Sequence, residues 1–161
     1  MTKERKWGMF PVKGTVGSFL DDGKSIIEEL RDEMQEGLDN MSGTNLESTG
    51  KYSVYEEAVS LLDDICGNLD GVELPESVQD LLAETTEERR KSLSRSRRMS
   101  NGISMLEAMV QVLEERIQEL LEKKTLSDTE QEEVSASEEA TDAIQSAADA
   151  AGSVEFPGFY G

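Results

Sequence analysis

The sequence has no histidine, one cysteine (Cys66), three prolines and eight aromatic residues among its 161 positions. Each scarcity excludes something. Without His and with a single Cys, no zinc finger, Cys/His metal cluster, Cys–His nucleophile pair or Ser–His–Asp triad can be assembled. One Cys cannot form an internal disulfide, which suits a reducing, cytoplasmic setting. No apolar run approaches the roughly 20 residues needed to cross a bilayer, and no signal-peptide core opens the chain, so no membrane partner is expected. Positive charge is also short, at 16 Lys and Arg against 35 Asp and Glu, a net charge of −19.

What is present is acidic and moderately apolar, with 32% charged and 36% hydrophobic residues. Paired acids such as Asp63-Asp64 and Glu114-Glu115 lack the alternating ligands and closing Glu of a calcium loop. No glycine-rich phosphate loop accompanies them, so they read as solvated helix faces. No general base, metal site or nucleophile pair can be named. The expectation is a protein that is not an enzyme and uses no cofactor.

The pattern along the chain predicts an all-α fold, a small helical bundle or a set of coiled-coil-forming helices. Residues 1–24 read as a flexible basic and aromatic arm. Gly8, Pro11, Gly14, Gly17 and Gly23 there argue against regular structure. A helical core is expected over 25–124, with helices at about 25–41, 53–69, 76–98 and 103–124. Ile26, Ile27, Leu30, Met34, Leu38 and Met41 carry the first by their spacing of three and four. Ser53-Val54-Tyr55-Glu56 matches a capping box for the second. Thr85-Thr86-Glu87-Glu88 offers a helix start ahead of a basic run, and Asn101-Gly102 reads as a break. Residues 125–161, with nine acidic residues and no basic one, read as a disordered acidic tail with an aromatic end. Within it, Glu138–Ala151 offers a marginal Ala-rich helix.

Three features point to function. The first is a heptad series, with Ile103, Val110 and Ile117 at position a and Leu106, Leu113 and Leu120 at position d. Such a stripe either packs on the helices at 25–41 and 53–69 or forms a self-association seam, giving a homodimer or higher oligomer. The second is a basic patch, Arg89, Arg90, Lys91, Arg95, Arg97 and Arg98. Ahead of a leucine heptad it resembles the basic-region leucine zippers. That family needs an unbroken helix and an Asn preceding the basic residues, whereas here Asn101-Gly102 intervenes and no Asn precedes Arg89. The net charge of −19 opposes phosphate binding. Nucleic acid is therefore an unlikely partner by this reading, and neutralisation of the chain's own acids is the favoured role.

The third feature is aromatic. Trp7, Phe10, Phe156, Phe159 and Tyr160 lie near the two ends, and with Pro157 they compose a candidate docking set for a protein partner. An acidic stretch ending in a short apolar plug is similar to the tails of bacterial and phage single-stranded-DNA-binding proteins, which recruit partners that way. The segments Lys6-Trp7-Gly8-Met9-Phe10-Pro11-Val12-Lys13-Gly14 and Val154–Gly161 also resemble those of small acidic proteins of tailed phages. That resemblance implies a host cytoplasm or virion and no assigned activity.

Two functions follow as expectations. One is an assembly or adaptor protein that self-associates and docks a partner through its terminal aromatics. The other is an acidic inhibitor that mimics nucleic acid and blocks a basic cleft. The latter rests on 3 basic against 20 acidic residues between Gly14 and Glu88, a net −17.

Overall fold

In the computed structural model, which describes residues 6–157, the chain begins with a strand, β1 (Gly8–Thr15), and the helix α1 (Val16–Met41). A 3-10 turn at Asn45–Ser48 leads to α2 (Gly50–Asp70), a short α3 (Glu76–Gln79) and a second strand, β2 (Leu82–Arg89). Two long helices follow, α4 (Arg95–Leu121) and α5 (Asp128–Gly152). The long helices close a ring: α1 packs on α2 and α4, and α5 packs on both α4 and α2. The result is a four-helix bundle with a two-stranded antiparallel sheet laid against α4.

Local chemistry sets the helix starts. Thr15 and Ser18 form a reciprocal capping box on α1, with Ser18 N–H donating to Thr15 Oγ1 at 3.1 Å and Thr15 N–H donating to Ser18 Oγ at 2.9 Å. Ser127 and Glu130 do the same for α5, which satisfies two otherwise orphaned amide donors at each end. Thr49 caps α2 and Ser94 caps α4. The expected cap at Ser53 therefore lies inside α2.

The core is aliphatic. Phe19, Ile27, Leu30 and Met34 of α1 meet Leu62, Ile65 and Leu69 of α2, Leu106, Met109 and Leu113 of α4, and Ile144 of α5. The heptad stripe divides accordingly. Leu106, Val110, Leu113 and Leu120 are buried inside the chain, while Ile103 and Ile117 are half-buried. Four of the six seam residues are thus covered by the chain itself and are not free to face a second copy.

The fold is not all-α. Residues 8–15 form a strand rather than a flexible arm, and α1 begins at Val16, well before residue 25. The β1 strand pairs with residues 82–89 in the register Gly8↔Arg89 to Thr15↔Leu82. The expected helix over 76–98 is therefore three pieces: α3, strand β2 and the first turn of α4. Strand alternation turns Phe10, Val12, Ala83, Thr85 and Glu87 to one face and Met9, Pro11, Lys13, Glu84 and Thr86 to the exposed one. Thr85-Thr86 is β-branched and suits this pleated surface. The adjoining Glu-Glu-Arg-Arg favours helix in isolation, and distant partners, β1 on one edge and α4 on the other, select the extended form.

The sheet is fastened to α4 by Asn101. Its side-chain oxygen accepts from Glu88 N–H at 2.9 Å and its amide donates to Glu88 C=O at 3.0 Å. One side chain thus does the work of a neighbouring strand on the outer edge of β2. Its neighbour Gly102, read as a break, lies inside α4 where the helix crosses α1. A Cβ at Gly102 would lie 3.3 Å from Ile26 Cγ2, and one at Gly23 would lie 3.3 Å from Leu106 Cδ2. Asn101-Gly102 is a docking point in an unbroken helix.

The acidic segment is also ordered into the bundle. Residues 128–152 form α5, which buries Val134, Ala140, Ile144, Ala147, Ala148 and Ala151. Small side chains let α5 lie close to its neighbours, so it contributes a wall of the bundle with one large core residue. Beyond it, Val154 and Phe156 pack on the core, and Phe156 lines a small cleft with Met99 and Ile103 of α4.

Candidate functional site

The basic patch is built by the β2–α4 connection, which folds five of its six cations against the chain's own carboxylates. Glu33 on α1 is clamped by both terminal guanidinium nitrogens of Arg98, one at 2.8 Å, and lies 3.5 Å from Arg95 Nε. Glu88 accepts from Arg90 Nε and from an Arg97 nitrogen, each at 2.7 Å. Glu87 accepts from Arg89 Nε at 2.8 Å, and that guanidinium lies 4.7 Å from the centre of the Phe10 ring. Arg95 approaches the Tyr55 ring at 6.0 Å. Lys91 is exposed and in no ion pair among the described residues.

Electrostatics follow the geometry. The Arg98 hydrogen bonds hold the Glu33 carboxyl below its usual range, and the Arg98 guanidinium is raised in turn. Hydrogen bonds from Arg90, then the charge of Arg97, lower Glu88 in the same way. Five of the six patch residues are thereby engaged internally, which weakens the patch as a phosphate-binding surface.

A second brace ties α5 to α3 and α4. The buried Glu133 accepts from Ser77 Oγ at 2.7 Å and from Arg116 Nε at 3.2 Å and Nη2 at 3.4 Å. Arg116 also reaches Glu119 at 3.6 Å, and Lys123 pairs with Glu130.

Exposed carboxylates outside any ion pair among the described residues stand on every long helix, including Asp21, Asp22, Glu29 and Glu36 on α1 and Glu107, Glu114 and Glu115 on α4, and the adjacent walls of α2 and α5 carry a further set. On α2, Glu56, Glu57 and Asp64 are exposed; on α5, Glu132, Glu138, Glu139 and Asp142 are exposed. Among the described residues none of these seven lies in an ion pair. The α5 helix carries eight carboxylates and no basic side chain. An acidic surface of this kind attracts cations over about 8–10 Å at physiological salt.

The aromatic docking set is only partly gathered. Trp7 is 48% exposed beside β1, Phe10 is half-buried under Arg89, and Phe156 and Pro157 are half-buried. Phe159 and Tyr160 lie outside the described residues. Cys66 is buried in α2, and burial pushes its thiol up to about 11. Among the described residues no cluster of three or more acids or Cys is placed to hold a metal ion, and no helix is long and apolar enough to cross a membrane.

Two of these features are only partly legible in the sequence. The self-neutralised patch depends on Glu33, some 60 positions away from its arginines. The α5 wall was signalled only by Ser127-x-x-Glu130 and an alanine stripe. No family model matches the chain, and no curated protein or solved structure matches it either.

Proposed function

We propose that the chain is a non-catalytic protein-binding module that presents the carboxylate walls of α2 and α5 to a basic surface of a partner protein. The observation that carries this reading is the division of charge. The arginines are consumed by Glu33, Glu87 and Glu88, while seven exposed carboxylates on two neighbouring helices have no cationic partner among the described residues. A rigid helical wall holds its charges in place before encounter, so fewer side chains need ordering on binding. The reading fits an acidic inhibitor that occupies a basic cleft. A phage setting, in the host cytoplasm or the virion, belongs to the same proposal.

The test is a variant with Glu132→Gln, Glu138→Gln, Glu139→Gln and Asp142→Asn, used as bait in lysate of the source cells beside the unaltered protein. Each position is exposed, so the fold should survive, as circular dichroism will show. A basic partner held by the unaltered chain and lost by the variant supports the reading. Equal capture by both contradicts it.

A second reading, docking through aromatics, is favoured by Trp7, about half exposed beside β1. Trp7→Ala would then abolish capture while the carboxylate variant retained it. Self-association through the heptad stripe has no comparable support, because most of that stripe is buried within the bundle.

A further inference from the structure

Between the C-terminal half of α4 and the middle of α5 lies an open groove of about 390 Å³. One side is formed by Glu114, Ile117, Gln118 and Leu121, and the other by Glu138, Thr141 and Asp142. Both sets have the spacing of a single helix face, at i, i+3, i+4 and i+7 on α4 and i, i+3 and i+4 on α5. The groove therefore runs along the helices for roughly 10 Å, or two turns. Leu121 is 57% exposed and Ile117 half-buried, which gives a floor that the bundle leaves uncovered.

The margin of this groove fixes the sign of what can fill it. Glu114, Glu138 and Asp142 are exposed, with no ion pair among the described residues. Of the nearest cations in sequence, Arg116 is occupied with Glu119 and Glu133 and Lys123 with Glu130, while Lys124, just past the end of α4, is exposed and in no ion pair among the described residues. A second copy of the chain would bring another −19 to a margin that is already negative. A cationic segment would instead neutralise the margin while an apolar side chain covered Ile117 and Leu121.

We propose that the α4–α5 groove receives a cationic amphipathic helix of the partner protein, with its apolar stripe on Ile117 and Leu121 and its Lys or Arg residues on Glu114, Glu138 and Asp142. This rests on the acidic-surface reading above and gives that surface a place and a shape. The mode is helix-in-groove recognition, with anchors at helical spacing and charges at the margin. The apolar floor supplies desolvated contact, and the carboxylates select against acidic or neutral helices.

The probe is a fluorescein-labelled Leu/Lys helical peptide about four turns long, titrated into the full chain by anisotropy, with a Leu/Glu peptide of equal length as comparator. Leu121→Ser and Glu138→Lys should each weaken Leu/Lys binding by about tenfold, the scale set by losing one buried apolar anchor or one close charge pair. Glu56→Lys on α2 should change it less than about twofold. Amide shifts on the nitrogen-15-labelled chain should concentrate at 114–121 and 138–142, and the Leu/Glu peptide should not bind.

Salt-sensitive Leu/Lys binding that Leu121→Ser leaves unchanged would overturn the groove while leaving the acidic-surface reading standing. No Leu/Lys binding at all would overturn both. Sedimentation showing a dimer that Leu121→Ser dissociates would make the occupant a second copy and overturn the proposal as well.

Discussion

At the scale of single residues, the structure converts punctuation into packing. Gly37 sits in the interior of α1 facing Tyr55, where an added Cβ would lie 2.3 Å from Tyr55 Cε1. Helix propensity favours alanine over glycine by about 1 kcal/mol, but overpacking a buried contact costs about 1–3 kcal/mol. Because Tyr55 is buried and has little room to move, packing wins. Gly37→Ala should therefore lower stability in urea unfolding, and a raised midpoint would show that Tyr55 yields freely. Glu130 makes a pH prediction of definite sign. The Lys123 hydrogen bond, then the Ser127 amide, hold its carboxyl down from an ordinary 4.5 to about 2. A carboxyl depressed in the folded state contributes stability above its unfolded value and loses it as pH falls through the folded one. The stability difference between the unaltered chain and Glu130→Gln should thus be full above about pH 5 and vanish toward pH 2. A difference that stayed constant from pH 6 to 2 would refute the assigned ion pair.

At the scale of elements, α5 decides whether this is a three-helix core with a tail or a four-helix bundle. Ile144 is its one large, fully buried side chain, against the α4 and α2 walls. Ile144→Ala should destabilise the chain by about 2–4 kcal/mol, as for a core truncation leaving a cavity. A surface-like cost below about 0.5 kcal/mol would detach α5 from the core. The contrast among elements shows what is legible in this sequence. The apolar stripes of α1, α2 and α4 are made of Ile, Leu, Val and Met at helical spacing, which makes the three helices legible, although α1 starts earlier than its stripe suggests, α4 runs through Asn101-Gly102, and the α4 stripe alone does not choose between a core and a seam. The α5 helix is legible only as a marginal helix over 138–151, because its stripe is alanine, which looks like polar low complexity when burial is judged by side-chain bulk. The strands are hidden for a different reason. Phe10-Pro11-Val12 and Thr85-Thr86-Glu87 are unremarkable singly, and the ladder joining them spans some 70 residues of chain. The internal neutralisation of the arginine patch is legible as a role, but Glu33 as its partner follows only from the α1–α4 crossing.

At the scale of the whole molecule, the net charge of −19 is unevenly answered. The β2–α4 connection is balanced locally, the α3–α4–α5 brace is balanced around Glu133, and the outward walls of α2 and α5, like Asp21, Asp22, Glu29 and Glu36 of α1, are not. Self-repulsion on those walls opposes folding and is screened by salt. The thermal midpoint should therefore rise between about 20 and 300 mM NaCl, where the Debye length shrinks several-fold. A midpoint that fell would mean that the ion pairs of Glu33 and Glu88 outweigh the repulsion. The same walls are the proposed binding surface, and function there depends on the sign of charge rather than on reactive groups. The most direct measurement is partner capture from lysate of the source cells with increasing salt, comparing the full chain with one ending at Ser153. Binding by the carboxylate walls predicts the same basic partner on both baits, released between about 50 and 300 mM NaCl as the Debye length falls from roughly 14 to 6 Å. A partner that resists salt and is lost only with residues 154–161 would contradict it and assign docking to the terminal aromatics instead.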